Sequence, residues 1–494
     1  MPIHPLLRIR AALGQPGAAL ALGTHLQERG STIAAARHFA VAANAGLPEA
    51  QTRLGLCYLH GIGVPSNEPE ARHWLERAAE AGHPQAQTEL AVLTLRGSAQ
   101  VDRRSPFGRA PARPDPTQAA SLARRAADSG SAEAQALLAY ILSLDPRLAL
   151  APEEADRLYS DSARAGWPLG QLGHAMALLR DGTPEAARRA RDLLREAAAF
   201  GLPTAHFILG AIAESEAAGM PDRAAAIVHY RAGAEQGHAG AKIRLGIALM
   251  SDNETFEAET WLRRAAQDGD VTAAAMLGDL HASGKDQPAN PEEAARWYRR
   301  AAVAGHAGSA RALARAISSG AEGKPDPAEI ARWLRTAIEL GEKAAWGDLG
   351  GLIASGHLPP LELPALHEWL QSRIRTGEAE AGYYVGVCVN GGIGTRVDEK
   401  LARDYYLWAA SLDSTEARVA AGEMLLNGRG GPADPDQARA LFADAAAKDH
   451  AGAIYALGVM EHDDPERALT LFRRAAALGH PKARAMASED AMAA

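Results

Sequence analysis

The sequence predicts an all-α protein, an α-solenoid of about thirteen helix-turn-helix repeats forming a right-handed superhelix. Three observations predict it. One phrase recurs, as "WLERAAEAGHPQAQ" at 74–87, "WLRRAAQDGDVTAA" at 261–274 and "WYRRAAVAGHAGSA" at 297–310. Aligned on that phrase, Trp261, Trp297, Trp333, Trp369 and Tyr405 fall in one column at steps of 36 residues. Fixed-period self-similarity of this kind marks repeat architectures. Hydrophobic residues make up 47% of the 494-residue chain and aromatics only 5%, so the apolar content is mostly Ala and Leu. Those two are among the best helix formers.

Each repeat reads as two helices. The first carries a Leu-Gly pair, at 54–55, 172–173, 209–210, 245–246, 277–278, 349–350 and 457–458. Glycine inside a helix costs about 1 kcal/mol against alanine, so its recurrence at one slot needs a reason. Close approach of a neighbouring helix backbone is the simplest. A turn rich in Gly and Pro follows, such as "HGIGVPSNEPEA" or "NGRGGPADPDQA". The second helix is the quoted phrase, its apolar residues spaced to make one face. Its aromatic is expected to fill the gap between repeats, and its Ala pair to let helices sit close. It stops at a residue able to adopt the left-handed conformation. That column runs Gly46, Gly82, Gly130, Gly166, Gly201, Gly237, Gly269, Gly305, Gly341 and Gly377, then Asp413, Asp449 and Gly479, which gives thirteen units. Residues 1–17 are an N-terminal segment suited to a capping helix, 18–483 a continuous solenoid, and 484–494 a C-terminal tail. An inserted loop occupies about 97–117. One helix pair cannot bury its apolar face alone, whereas stacked pairs bury it between neighbours.

The pieces "LGLCY", "GIGV" and A-x-x-W-[YL]-x-[RK]-A-A-x-x-G resemble the Sel-one-like repeat (SLR) family, a relative of the tetratricopeptide repeats. The resemblance spans roughly residues 15–485 and is strongest at 50–86, 241–346 and 381–483. It weakens at 134–170 and 344–381. It implies an α-solenoid scaffold that binds other proteins or peptides. By analogy with tetratricopeptide folds, the concave groove exposes positions three before, one after and four after the motif glycine. Here those positions include Leu56, His174, Phe207, Ile243, Asp279, Tyr383, Asn390, Glu423 and Tyr455. This mixture of aromatic and acidic side chains suits an extended peptide with basic and apolar groups. Tyr383 and Tyr384 are adjacent, so one is expected in the groove and the other in the core.

Composition excludes other classes. A net charge of −8 does not suit a dedicated nucleic-acid binder, which is normally basic. No apolar run approaches the ~20 residues needed to span a bilayer. Two cysteines, Cys57 and Cys388, read as small buried hydrophobes and favour a reducing compartment. Arg8, Arg10 and "QPG" interrupt the apolar N-terminus that a secretory signal needs. The expected location is therefore cytoplasmic; the alternative is an exported periplasmic or secreted protein of envelope or polysaccharide pathways.

No enzyme, cofactor or metal site is expected. "HEWLQ" at 367–371 has Gln where a zinc-binding H-E-x-x-H needs its second His. "GGIGTR" at 391–396 follows a helix rather than a strand, which defeats a dinucleotide reading. A weak hydrolase would need a triad that the sequence does not assemble. His83, His238, His306, His450 and His480 each follow the unit-ending residue and read as a structural polar slot. The insertion carries Arg96, Arg103, Arg104, Arg109 and Arg113 among prolines. It reads either as a solvated loop or as a dock for an acidic segment or lipid headgroup.

Overall fold

A computed structural model describes residues 5–97, 114–151, 153–215, 221–284, 288–461 and 463–487. Among these residues there are 28 α-helices, one short 3₁₀ turn at Pro146–Leu148, and no strand. The chain divides into two compact units, Met1–Trp261 and Leu262–Ala494, with the border inside the helix Thr255–Gln267. The basic insertion, with Arg103, Arg104, Arg109 and Arg113, lies outside the described residues. So does most of the expected C-terminal tail.

Within each unit, helices pair with their sequence neighbours. In the first unit, Pro48–His60 packs on Glu68–Glu80, and Pro203–Glu214 on Arg223–Glu235. In the second, Val271–Ser283 packs on Pro291–Val303, and Ala379–Gly391 on Glu399–Ser411. Local chemistry sets the ends. Asn67, Asn290, Asp398 and Asp434 each cap a second helix, the side-chain oxygen accepting from the main-chain N–H three residues on. The terminating column is left-handed as expected, including Asp413 at φ 74° and Asp449 at φ 57°.

The motif glycine has a more specific reason than the sequence suggested. What approaches it is a side chain, not a helix backbone. A Cβ on Gly278 would lie 2.4 Å from the ring of Tyr298, and one on Gly386 would lie 2.5 Å from Tyr406. Gly55 faces Leu75 and Gly210 faces Tyr230 in the first unit, and Gly422 faces Phe442 in the second. In each pair the large residue sits one position after the Trp column. Leu75, Tyr230 and Phe442 are fully buried. The cradled column is therefore the centre of each hairpin.

The Trp column borders successive repeats. Trp261 Nε1 donates to Glu257, which also accepts from Arg231 of the preceding hairpin at 2.9 Å. The pattern repeats in the second unit. Trp297 Nε1 donates to Glu293, which pairs with Arg263, while Trp333 donates to Glu329, which accepts from Arg299 at 2.6 Å. Arg263 lies 5.2 Å from the centre of the Trp297 ring, and Arg299 5.7 Å from Trp333. Each such half-exposed ion pair contributes little alone. Its recurrence fixes the register between second helices.

The turn glycines reach the preceding repeat. A Cβ on Gly430 would sit 2.3 Å from the main-chain oxygen of Glu399, at the start of the preceding second helix. Gly63 stands likewise 2.2 Å from Thr32 O. Gly479→Ala, with nothing within 4 Å, is expected to cost about 1–2 kcal/mol from its left-handed backbone alone. Gly430→Ala adds a backbone collision and should lower the denaturant midpoint further. Equal midpoints for the two variants would contradict this contact.

Candidate functional site

The first helices carry the candidate site, so what holds their N-termini matters. The five recurrent histidines do more than follow a C-cap: each is the N-cap of the next first helix. The Nδ1 of His83, His238, His306, His450 and His480 accepts from the main-chain N–H of Ala86, Ala241, Ser309, Ala453 and Ala483 at 3.1–3.4 Å. Ser131, Asp270 and Ser414 fill the same slot with oxygen. Imidazole is a rarer cap than Ser, Asp or Asn, so the pattern was visible in the sequence but its role was not.

The cap also touches the preceding repeat, at the position three before its motif glycine. Phe207 stacks on His238 with ring centres 4.7 Å apart, and Tyr455 on His480 at 4.4 Å. Thr52 Oγ1 lies 3.0 Å from His83 Nδ1, whose other nitrogen is 2.8 Å from Glu49. Two of the expected groove aromatics thus also serve as links between repeats.

All nine expected groove residues keep solvent contact. Asp279 and Glu423 are exposed; Leu56, His174, Phe207, Ile243, Tyr383, Asn390 and Tyr455 are half-buried. Their neighbours Leu54, Leu209, Leu245, Leu277 and Val385 on the same helices are buried. Several of the nine already have internal partners. Asp279 accepts from the Tyr298 hydroxyl at 2.8 Å, and Asn390 accepts from Arg429 at 2.9 Å. Burial, reinforced by Arg189, lowers the His174 pKa, and its Nδ1 is buried without a partner. Leu56, His174, Phe207 and Ile243 lie in the first unit, and Asp279, Tyr383, Asn390, Glu423 and Tyr455 in the second.

Tyr383 and Tyr384 depart from expectation, since both are half-buried rather than one exposed and one in the core. Tyr384 lies over Gly350 and stacks on the buried Trp346 with ring centres 5.8 Å apart. Tyr383 contacts Tyr384 at 4.9 Å and Tyr406 at 5.8 Å. Glu380 and Glu416 are exposed beside this pair, over the buried Trp346, and were not singled out from sequence. They lie outside the three tetratricopeptide-type positions.

Burial pushes the Cys57 thiol up and the Cys388 thiol up to about 11. Both are free and buried, as expected. Burial, reinforced by the hydrogen bond to Glu214 and opposed by Arg244, takes Tyr230 up to about 12. Gln371 occupies the place of a second zinc histidine in "HEWLQ" and lies against His367 Nε2 at 3.0 Å. No helix among the described residues is long and apolar enough to cross a membrane.

Helical hairpins of this length, with a cradled glycine and a left-handed stop, define a protein of short α-helical repeats. The Sel1 repeat family model matches residues 48–83, 107–131, 203–238, 253–270, 271–306, 379–414, 415–450 and 451–480. The chain belongs to the Sel1 repeat family. An uncharacterised protein of Neisseria meningitidis serogroup B is 37% identical over 164 residues, 33% of this chain. The match spans about a third (34%) of that relative's own length. Among solved structures, a protective antigen of uropathogenic Escherichia coli with an SLR fold superposes with a TM-score of 0.51 at 22% identity, covering 91% of this chain and 96% of that one. A Sel1 repeat protein from Oxalobacter formigenes gives 0.37 at 24% identity, covering 70% and 89%. Proteins built from such repeats generally mediate protein–protein interactions.

The histidine caps predict a pH response. Burial lowers the pKa of His238 and, with Lys482 and His450, that of His480 below the ordinary 6.5. The unfolded chain therefore takes up these protons first as pH falls. Their stabilisation is complete above pH 6.5 and is lost as pH drops through the lower folded values. Thermal unfolding from pH 7.5 to 5 should show that loss. His238→Asn together with His480→Asn, which keep a good cap, should flatten it; an unchanged slope would contradict the role.

Proposed function

We propose that the protein is a non-enzymatic interaction scaffold or adaptor that binds a protein or peptide partner along the face of its first helices. The observation that carries this reading is the split on those helices. Nine side chains at tetratricopeptide-type positions stay open to solvent while their immediate neighbours are buried. A helical surface of fixed hairpins offers side chains at little ordering cost, which favours recognition of an extended segment. A cytoplasmic location belongs to the same proposal. It is supported by two buried free thiols, which suit a reducing compartment.

A photo-crosslinking amino acid placed at Leu56, Ile243 or Glu423 tests the face. In the native host Leu56 and Ile243, both in the first unit, should capture one common protein, and Glu423, in the second unit, should crosslink to a partner. Val228 and Asp404, exposed on second helices, should not. Capture confined to Val228 and Asp404 would move the partner to the opposite face and overturn the reading.

A further inference from the structure

Around Tyr383 the repeats depart from their own pattern in three ways, and the departures meet on one surface of the second unit. The first concerns the ring. Phe207 and Tyr455 occupy the slot of Tyr383 and are each stacked by the next repeat's cap histidine. At Tyr383 that cap is Ser414, so no imidazole covers it.

The second departure concerns a hydroxyl. Tyr230 and Tyr298, in the cradled column, donate to Glu214 and Asp279 of their own hairpins at 2.8 Å. Tyr406 is the same residue in its hairpin and is only 4% exposed. Val387 stands where Asp279 would be. Asn390 stands in the slot of Glu214, and its oxygen already accepts from Arg429. Among the described residues the Tyr406 hydroxyl makes no hydrogen bond like those of Tyr230 and Tyr298.

The third is unmatched charge. Glu380, Glu416 and Glu423 are exposed, and none has an ion pair among the described residues. The nearby cations are committed elsewhere: Arg373 to Glu378, Arg418 to Asp413 and Arg429 to Glu399. Glu380 and Glu416 open helices, where the dipole favours a carboxylate. Glu423 sits mid-helix and lacks that explanation. Burial and the fields of Glu416 and Glu423 push the Tyr383 hydroxyl up; Glu423 also reaches Tyr406.

We propose that this surface receives an arginine-bearing extended segment of a partner protein. The guanidinium lies over the solvent-facing part of the half-buried Tyr383 ring, where no histidine stacks, and pairs with Glu416 and Glu423. The Tyr406 hydroxyl donates to a main-chain carbonyl of the segment. The chain uses the same combination internally: Arg263 lies over Trp297 while paired with Glu293, and Arg299 over Trp333 while paired with Glu329. Arginine suits the place better than lysine, because a planar cation can stack and pair at once. This inference rests on the scaffold reading and names the chemistry of its partner.

Fluorescence anisotropy with labelled hexa-arginine on the full chain tests it, with hexa-lysine and hexa-glutamate as comparators. Hexa-arginine should bind most tightly. Glu416→Gln with Glu423→Gln should raise its Kd about tenfold. Ser414→His, which restores the histidine found over Phe207 and Tyr455, should weaken binding similarly and leave thermal stability intact. Asp404→Asn with Asp444→Asn, an equal charge change on second helices, should have no effect. Equal weakening by that control, no effect of the Glu→Gln pair, or no binding of hexa-arginine would each overturn the inference. If hexa-arginine fails while the first-helix crosslinks persist, only this inference falls. If it binds while those crosslinks are confined to second helices, the scaffold reading falls instead.

Discussion

The fold depends on one steric constraint. In each well-formed hairpin a glycine on the first helix leaves room for a large side chain from the second. A single methyl group at Gly278 or Gly386 would intrude on Tyr298 or Tyr406. The helix propensity lost at glycine, about 1 kcal/mol, is offset by burying a Leu, Phe or Tyr, which contributes roughly 1.5–3 kcal/mol. Because each cradle is local to its hairpin, stability accumulates repeat by repeat rather than in one shared core.

The links between repeats are also local, but they are polar. A cap histidine satisfies the N-terminus of one first helix and covers a side chain of the helix before it. On the second helices a glutamate accepts from its own tryptophan and from the preceding arginine. Where serine takes the histidine's place, at position 414, Tyr383 lacks the imidazole stacked on Phe207 and Tyr455, and exposed carboxylates lie beside it. Packing between repeats and the solvent-facing surface thus share the same few positions.

Much of this was legible in the sequence. The repeat period, the left-handed stops at Asp413 and Asp449, and the burial of Cys57 and Cys388 all follow from pattern, whereas the nine groove positions came only from the tetratricopeptide resemblance. The Trp column was legible as a border between repeats. The cradled column was hidden, because it alternates among Leu, Tyr and Phe one place after the more conspicuous tryptophan. The histidines were noticed, yet their capping depends on a ring nitrogen meeting an N–H three residues on, which spacing alone does not reveal. Tyr384 misled for a related reason. Adjacent helical residues point about 100° apart, but the vacant space over Gly350 lets its ring lie beside Tyr383.

Native-state hydrogen exchange on Gly278→Ala tests the central claim most directly, by filling one cradle and reading each repeat separately. The account predicts that protection falls in Val271–Ser283, Pro291–Val303 and the adjoining repeat, while Thr415–Leu426 and Pro435–Ala446 of the same unit keep theirs. A uniform loss across the unit would show one cooperative core, and unchanged protection at Tyr298 would show that the glycine is not what seats it.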